Sequence, residues 1–133
     1  MENSIEALSK YRYETACEAL EDAKLMYENK RYKNALNRAY YAVFHAIRAV
    51  NALDGYDSSK HSGVTSFFNQ NYVKTEIFHK EMSKIIRQAS ESREKADYLD
   101  FFVASKEEAE KQIDRARVFL ETINEYLTGK GII

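Results

Sequence analysis

Asn37-Arg38-Ala39-Tyr40-Tyr41-Ala42-Val43-Phe44-His45-Ala46-Ile47-Arg48 reads as one uninterrupted helix with two different faces. At about 100° per residue, Leu36, Ala39, Tyr40, Val43, Ile47 and Val50 fall on a single apolar stripe. Arg38, Tyr41, His45 and Arg48 fall on the opposite side, with Asn37 at its edge. Arg38 and His45 are seven residues apart, so they project in nearly the same direction, about 10 Å apart along the axis. A solvated helix back normally carries Glu and Lys. This one interleaves Arg, Tyr and His with Ala42, Ala49 and Ala52, which predicts a second packed face and, through those small residues, close approach of a second copy of the chain.

Around this stretch the charge is uneven. Residues 29–53 hold Lys30, Arg31, Lys33, Arg38 and Arg48 and no acid, in a chain whose net charge is −1. Bulk charge therefore gives no reason to expect nucleic-acid binding; only this segment is basic. With no Pro and four Gly in 133 residues, the punctuation of strands and turns is scarce, and a mostly helical single domain spanning 1–133 is expected. The lone Cys17 excludes an internal disulfide and reads as a small helix residue. No apolar run approaches the roughly 20 residues of a membrane span, and the polar start Met1-Glu2-Asn3-Ser4 does not resemble a signal peptide, so a cytoplasmic protein is expected.

Taken in order, Asn3 and Glu6 have capping-box spacing, and Tyr13, Ala16, Leu20, Ala23 and Tyr27 form a core stripe on the first helix. A turn near Asn29 sends the second helix back antiparallel, to about Leu53, where Asp54-Gly55 stops it. His61 to Phe68 is a short third helix, with a break expected at Asn69-Gln70-Asn71. A fourth helix is expected over 77–96, with Phe78, Met82, Ile85, Ala89 and Ala96 inward, followed by an extended connector over 97–103 lying across the bundle. Ser105 with Glu108 opens the last helix, whose Ala109, Ile113, Ala116, Leu120, Ile123 and Leu127 alternate at four and three; its final residues are expected to fray. The architecture predicted is all-α: an antiparallel up-and-down bundle of four long helices with one short extra helix.

The chemistry narrows by elimination. Only one Glu-x-x-His spacing exists, Glu76 to His79, where a di-iron bundle needs two, so no metal is expected; His61 and His79 read as surface or capping residues. No Gly-rich phosphate loop is present, and no other cofactor is indicated. Arg38 with His45 remains. Metal-free RNA cleavage needs a group to take a 2′-hydroxyl proton and a cation for the phosphate, and His and Arg suit those roles. Spacing alone favours a plainer reading, in which Arg38 pairs with an acid on a neighbouring helix and His45 is a hydrogen-bonded interface residue.

Asn37 to Ala46, His61-Ser62-Gly63-Val64, Phe67-Phe68 and Ala96-Asp97-Tyr98 together resemble the HEPN family, in the family's order and over nearly the whole chain. The resemblance implies a homodimeric helical bundle. It implies a toxin or defence ribonuclease in which Arg38 and His45 form an Arg-x6-His motif at the dimer interface, with a small MNT-type nucleotidyltransferase as antitoxin. Asn37, Tyr41 and Arg48 would then contact RNA, Tyr41 by stacking on a base. Two positions depart from the family pattern: Ala39 follows the Arg where a polar residue is usual, and Ile47 stands two after the His where some toxins carry Tyr. The alternative is a non-catalytic interaction or nucleotide-binding module working with a nucleotidyltransferase partner.

Overall fold

The computed structural model describes residues 2–133. Five helices run α1 (Glu2–Glu28), α2 (Tyr32–Asn51), α3 (His61–Phe68), α4 (Glu81–Tyr98) and α5 (Lys106–Gly129), and no strand occurs among the described residues. The expected all-α bundle of four long helices and one short one is the fold observed. Asn3, expected to cap the first helix, is already inside α1, and its side chain lies outside what the structure describes.

Helix α2 is the axis of the bundle and packs against each of the other four. Its whole expected stripe is buried, from Leu36 to Val50. Ala35, Ala42, Phe44, Ala46 and Ala49 are buried as well, so only a narrow strip of α2 reaches solvent. The reason is α1. It lies antiparallel along α2, bringing Ala16, Ala19 and Ala23 into the same core as Ala42, Ala46 and Ala49. Without side chains beyond Cβ, the two backbones approach closely enough for Ser9 Oγ to donate to the Ala49 carbonyl at 2.7 Å. Ala42, Ala49 and Ala52 are thus covered within one chain, and the expectation that they face a second copy is corrected: α1 is what the small residues meet.

Three helix ends close with the same device. Lys30, Gly55 and Gly131 take φ of 61°, 68° and 76°. In each case that residue's N–H bonds to the carbonyl three residues back, and the next N–H to the carbonyl five back, as for Lys30 to Tyr27 and Arg31 to Met26. At the C-terminus this motif folds Ile132 onto the core, with its N–H on the Leu127 carbonyl at 2.9 Å, so the expected fraying is replaced by a packed end.

The middle of the chain departs most from the periodicity. Asn69–Val73 is not a break but a π-helical turn that continues α3. Its wider turn brings Tyr72 into the core beside Phe68 and Phe78. Phe78 is buried ahead of α4 rather than within it. His79 then accepts the Glu81 N–H at 3.1 Å, the capping role expected of it. Starting α4 at Glu81 changes its buried set to Met82, Ile86, Ala89, Ser92 and Ala96, with Ile86 in place of Ile85. Asp97 and Tyr98 complete α4 instead of starting the connector. Between α4 and α5, Phe102 and Ala104 pack on the cluster of Ala35, Leu36, Ala96 and Ala109, while Phe101 and Val103 stand in solvent. Ser105 caps α5, accepting the Glu108 N–H at 3.0 Å. The other half of the box does not form, because the Glu108 carboxylate accepts from Ser92 Oγ at 2.8 Å and Gln112 Nε2 at 3.1 Å.

Gly63 keeps the loop before α3 close. A Cβ there would come within 2.7 Å of Ser58 Oγ, while Tyr56 stacks on Phe67 at 4.0 Å and donates to the Gly63 carbonyl at 3.3 Å.

If the α1–α2 approach rests on its alanines, Ala49→Leu will force the helices apart. Urea denaturation followed by circular dichroism is expected to show a loss of about 1–3 kcal/mol; an unchanged midpoint would mean the contact is looser than the Ser9 bond implies.

Candidate functional site

The strip of α2 left open by its neighbours carries Asn37, Arg38, Tyr41, His45 and Arg48, all partly exposed. The strip has this composition because every fourth or third position between these residues is turned into the bundle. Tyr41 is its centre. The Arg38 guanidinium carbon lies 5.0 Å from the Tyr41 ring centroid, and the His45 ring 6.0 Å. Arg38 and His45 thus flank one aromatic ring of the same chain.

Asn37 holds Arg38 in place. Its Oδ1 accepts from Arg38 Nε at 3.0 Å and Nη2 at 2.7 Å. Its Nδ2 donates to both Asp97 carboxylate oxygens, at 3.2 and 3.0 Å. Both ends of the amide are engaged within the chain, so Asn37 orients the Arg. Arg48 is likewise tied: its Nη2 pairs with Asp57 at 3.1 Å, and Arg12 of α1 reaches the same carboxylate at 3.2 Å. Arg48 is therefore paired with an acid of its own chain, whereas Arg38, for which the plainer reading expected such a pair, is held by the Asn37 amide instead. Ala39 and Ile47, where the motif departs from the family pattern, are both buried.

The structure adds residues that sequence reasoning passed over. His61, expected at the surface or in a cap, opens α3 with its ring 4.1 Å from that of Phe44 and 5.9 Å from that of Tyr41. Its Nδ1 is 2.8 Å from the Tyr40 hydroxyl. Arg93 of α4 lies over the Tyr40 ring at 4.5 Å and within 5.8 Å of the Tyr41 centroid. One polar chain therefore runs from Arg38 through Asn37 and Asp97 to Arg93, and on to His61 and Tyr40. The available signal was the set of short motifs around Tyr40, His61 and Asp97, which the fold brings together.

Burial, reinforced by crowded cations, sets the protonation of this face. Burial, then Arg48, Arg38, Arg12 and His61, hold the His45 imidazole below its ordinary pKa of 6.5. Burial, then Arg93 and Arg48, do the same to His61. Both rings are neutral near pH 7. Elsewhere, Cys17 is half-buried against the core, and burial pushes its thiol up. Among the described residues, no three His, Cys, Asp or Glu side chains cluster as metal ligands do, and no helix is long and apolar enough to cross a membrane.

A base whose folded pKa lies below its unfolded value binds fewer protons folded than unfolded, so its contribution to stability is present above pH 6.5 and is lost as pH falls through the depressed folded value. Urea midpoints are expected to drop as pH is lowered from 6.5, and His45→Gln to flatten part of that drop. Imidazole NMR titration should place the His45 midpoint below 6.5; a midpoint above it would contradict the cationic surroundings.

Known proteins give this geometry a family. The profile of the HEPN domain matches residues 9–126. A "UPF0332 protein" of Thermotoga maritima is 36% identical over 125 residues, covering 94% of this chain and 95% of its own. Two Methanocaldococcus jannaschii proteins, named "Putative toxin MJ0142" and "Putative toxin MJ0605", are 32% and 36% identical, covering 90% and 86% of this chain and 82% and 84% of theirs. The helical bundle and these matches agree: the chain belongs to the HEPN domain family.

Proposed function

We propose that this protein is a metal-independent endoribonuclease of the toxin type, with Arg38 and His45 as its catalytic pair. The observation that carries the reading is the placement of these two side chains against the same Tyr41 ring, with the His45 imidazole held below its ordinary pKa by burial and the nearby arginines. A neutral imidazole can take the proton of an RNA 2′-hydroxyl. The 2′ oxygen then attacks the adjacent phosphorus, the bond to the 5′ oxygen breaks, and the products are a 2′,3′-cyclic phosphate and a 5′-hydroxyl. Arg38, fixed by Asn37, meets the negative charge that gathers on the phosphate oxygens. Tyr41, half-exposed between the cations, offers an edge or face to a base. The names of the two toxin-named relatives support the same reading.

The leaving 5′ oxygen needs a proton, which the imidazolium formed at His45 returns, and a second copy of the chain facing this strip would bring its own Arg38 to the same phosphate. The active unit on this reading is a homodimer, held in check by an MNT-type nucleotidyltransferase antitoxin. The internal engagement of Asn37 and Arg48 favours a second reading, in which the strip is a protein-docking or nucleotide-binding surface without cleavage.

With EDTA present, purified protein is expected to cut single-stranded RNA to cyclic-phosphate ends, and Arg38→Ala and His45→Ala each to lower the rate about 100-fold or more. Light scattering is expected to give the mass of two chains. Cleavage unaltered in both variants removes the catalytic reading; a monomer removes the composite site.

A further inference from the structure

Arg93 is a cation whose partners do not match it. Its side chain is only 11% exposed. It reaches the Tyr98 hydroxyl at 3.4 Å, His61 Nδ1 at 3.4 Å and the Asp97 carboxylate at 3.7 Å, and its Nε is buried with no partner. Hydrogen bonds between a guanidinium and an anion run about 2.7–2.9 Å, so every one of these contacts is long. Asp97 is in turn engaged by Asn37. The Tyr40 ring covers one face of the guanidinium at 4.5 Å, but its N–H groups are left to long contacts that an anion would complete.

Access for such an anion exists. A groove of about 410 Å³ between α3 and α4 is lined by Arg93 and His61, with Arg87, Ser62, Thr65 and Ser66. Arginine can only donate, so His61 Nδ1 accepts and the ring proton sits on Nε2, a neutral donor suited to a phosphate oxygen. Glu91 and Glu94 share the groove and oppose a run of phosphates along it, which confines the anion to the Arg93 end. That end adjoins the α2 strip. The guanidiniums of Arg38 and Arg93 lie 5.0 and 5.8 Å from the centroid of the same Tyr41 ring.

We propose that Arg93 and His61 form a second phosphate-binding element of the same chain, taking the phosphodiester that neighbours the one at Arg38 on a single RNA strand. This rests on the reading of the α2 strip as an RNA site. It makes the chain's contribution a two-phosphate grip, with one cation on α2 and one on α4, which fixes the path of the strand across Tyr41.

The test uses a short single-stranded RNA methylated at every 2′ oxygen, which binds but cannot be cut. Its affinity is measured by fluorescence anisotropy across a salt series. Arg93→Met is expected to lower the slope of log affinity against log salt by about 0.7, the share of one single-strand phosphate. Arg38→Met is expected to do the same, the double variant to lose both shares, and Arg93→Lys to keep the slope. In the wild-type protein the same RNA is expected to shift the His61 imidazole resonances, a readout that survives if Arg93→Met does not fold. A wild-type slope in Arg93→Met, unmoved His61 resonances, or no binding of this RNA at all overturns the proposal. Failure of the ribonuclease reading is seen separately, as unmodified RNA left whole by a protein that still binds the methylated strand.

Discussion

The close approach of α1 to α2 is the contact on which the remainder of the structure depends. Alanines from both helices meet in the core, and Ser9 bonds directly to the α2 backbone. A larger side chain at Ala42, Ala46 or Ala49 would lift α1 away and widen the exposed strip of α2. Because α1 lies so close, and α3, α4 and α5 take the other sides, α2 keeps only five positions at solvent between Asn37 and Arg48. The candidate site is what remains of a helix after its burial.

The same enclosure sets the site's electrostatics. Arg12, Arg38, Arg48 and Arg93 converge on one face of a chain whose net charge is −1, against Asp57 and Asp97. Partial burial strengthens their field, and both histidines respond by holding their protons less tightly. Asn37 does for Arg38 what a polar residue after the Arg could not do here, because position 39 points into the core. Orientation is supplied from the residue before the Arg, and Asp97 supports it from α4.

Much of this was legible in the residues. The period of α2 and α5, the basic run around Arg31 and the stop at Asp54-Gly55 follow from local spacing and backbone sterics, and they survive in the fold. The errors have local causes too. A π-turn at Asn69–Val73 adds a residue to one turn, which no period of 3.6 anticipates, and α4 consequently begins at Glu81 with Ile86 inward. The fraying expected after Gly129 overlooked that a left-handed Gly131 returns the chain to the core. Ala42, Ala49 and Ala52 were read correctly as packing residues and assigned the wrong partner, since small residues record a close neighbour but not whether it belongs to the same chain.

The sequence by itself determined the helices, the side of α2 that is apolar, and the common direction of Arg38 and His45, because these depend on residues within a few turns of one another. Only the tertiary structure decided that Arg93, His61 and Asp97 join them. Those three lie 16 to 59 residues further along the chain than His45 and Arg38. What unites them is the packing of α3 and α4 against α2 around the rings of Tyr40, Tyr41 and Phe44, and packing between distant segments leaves no period in a sequence.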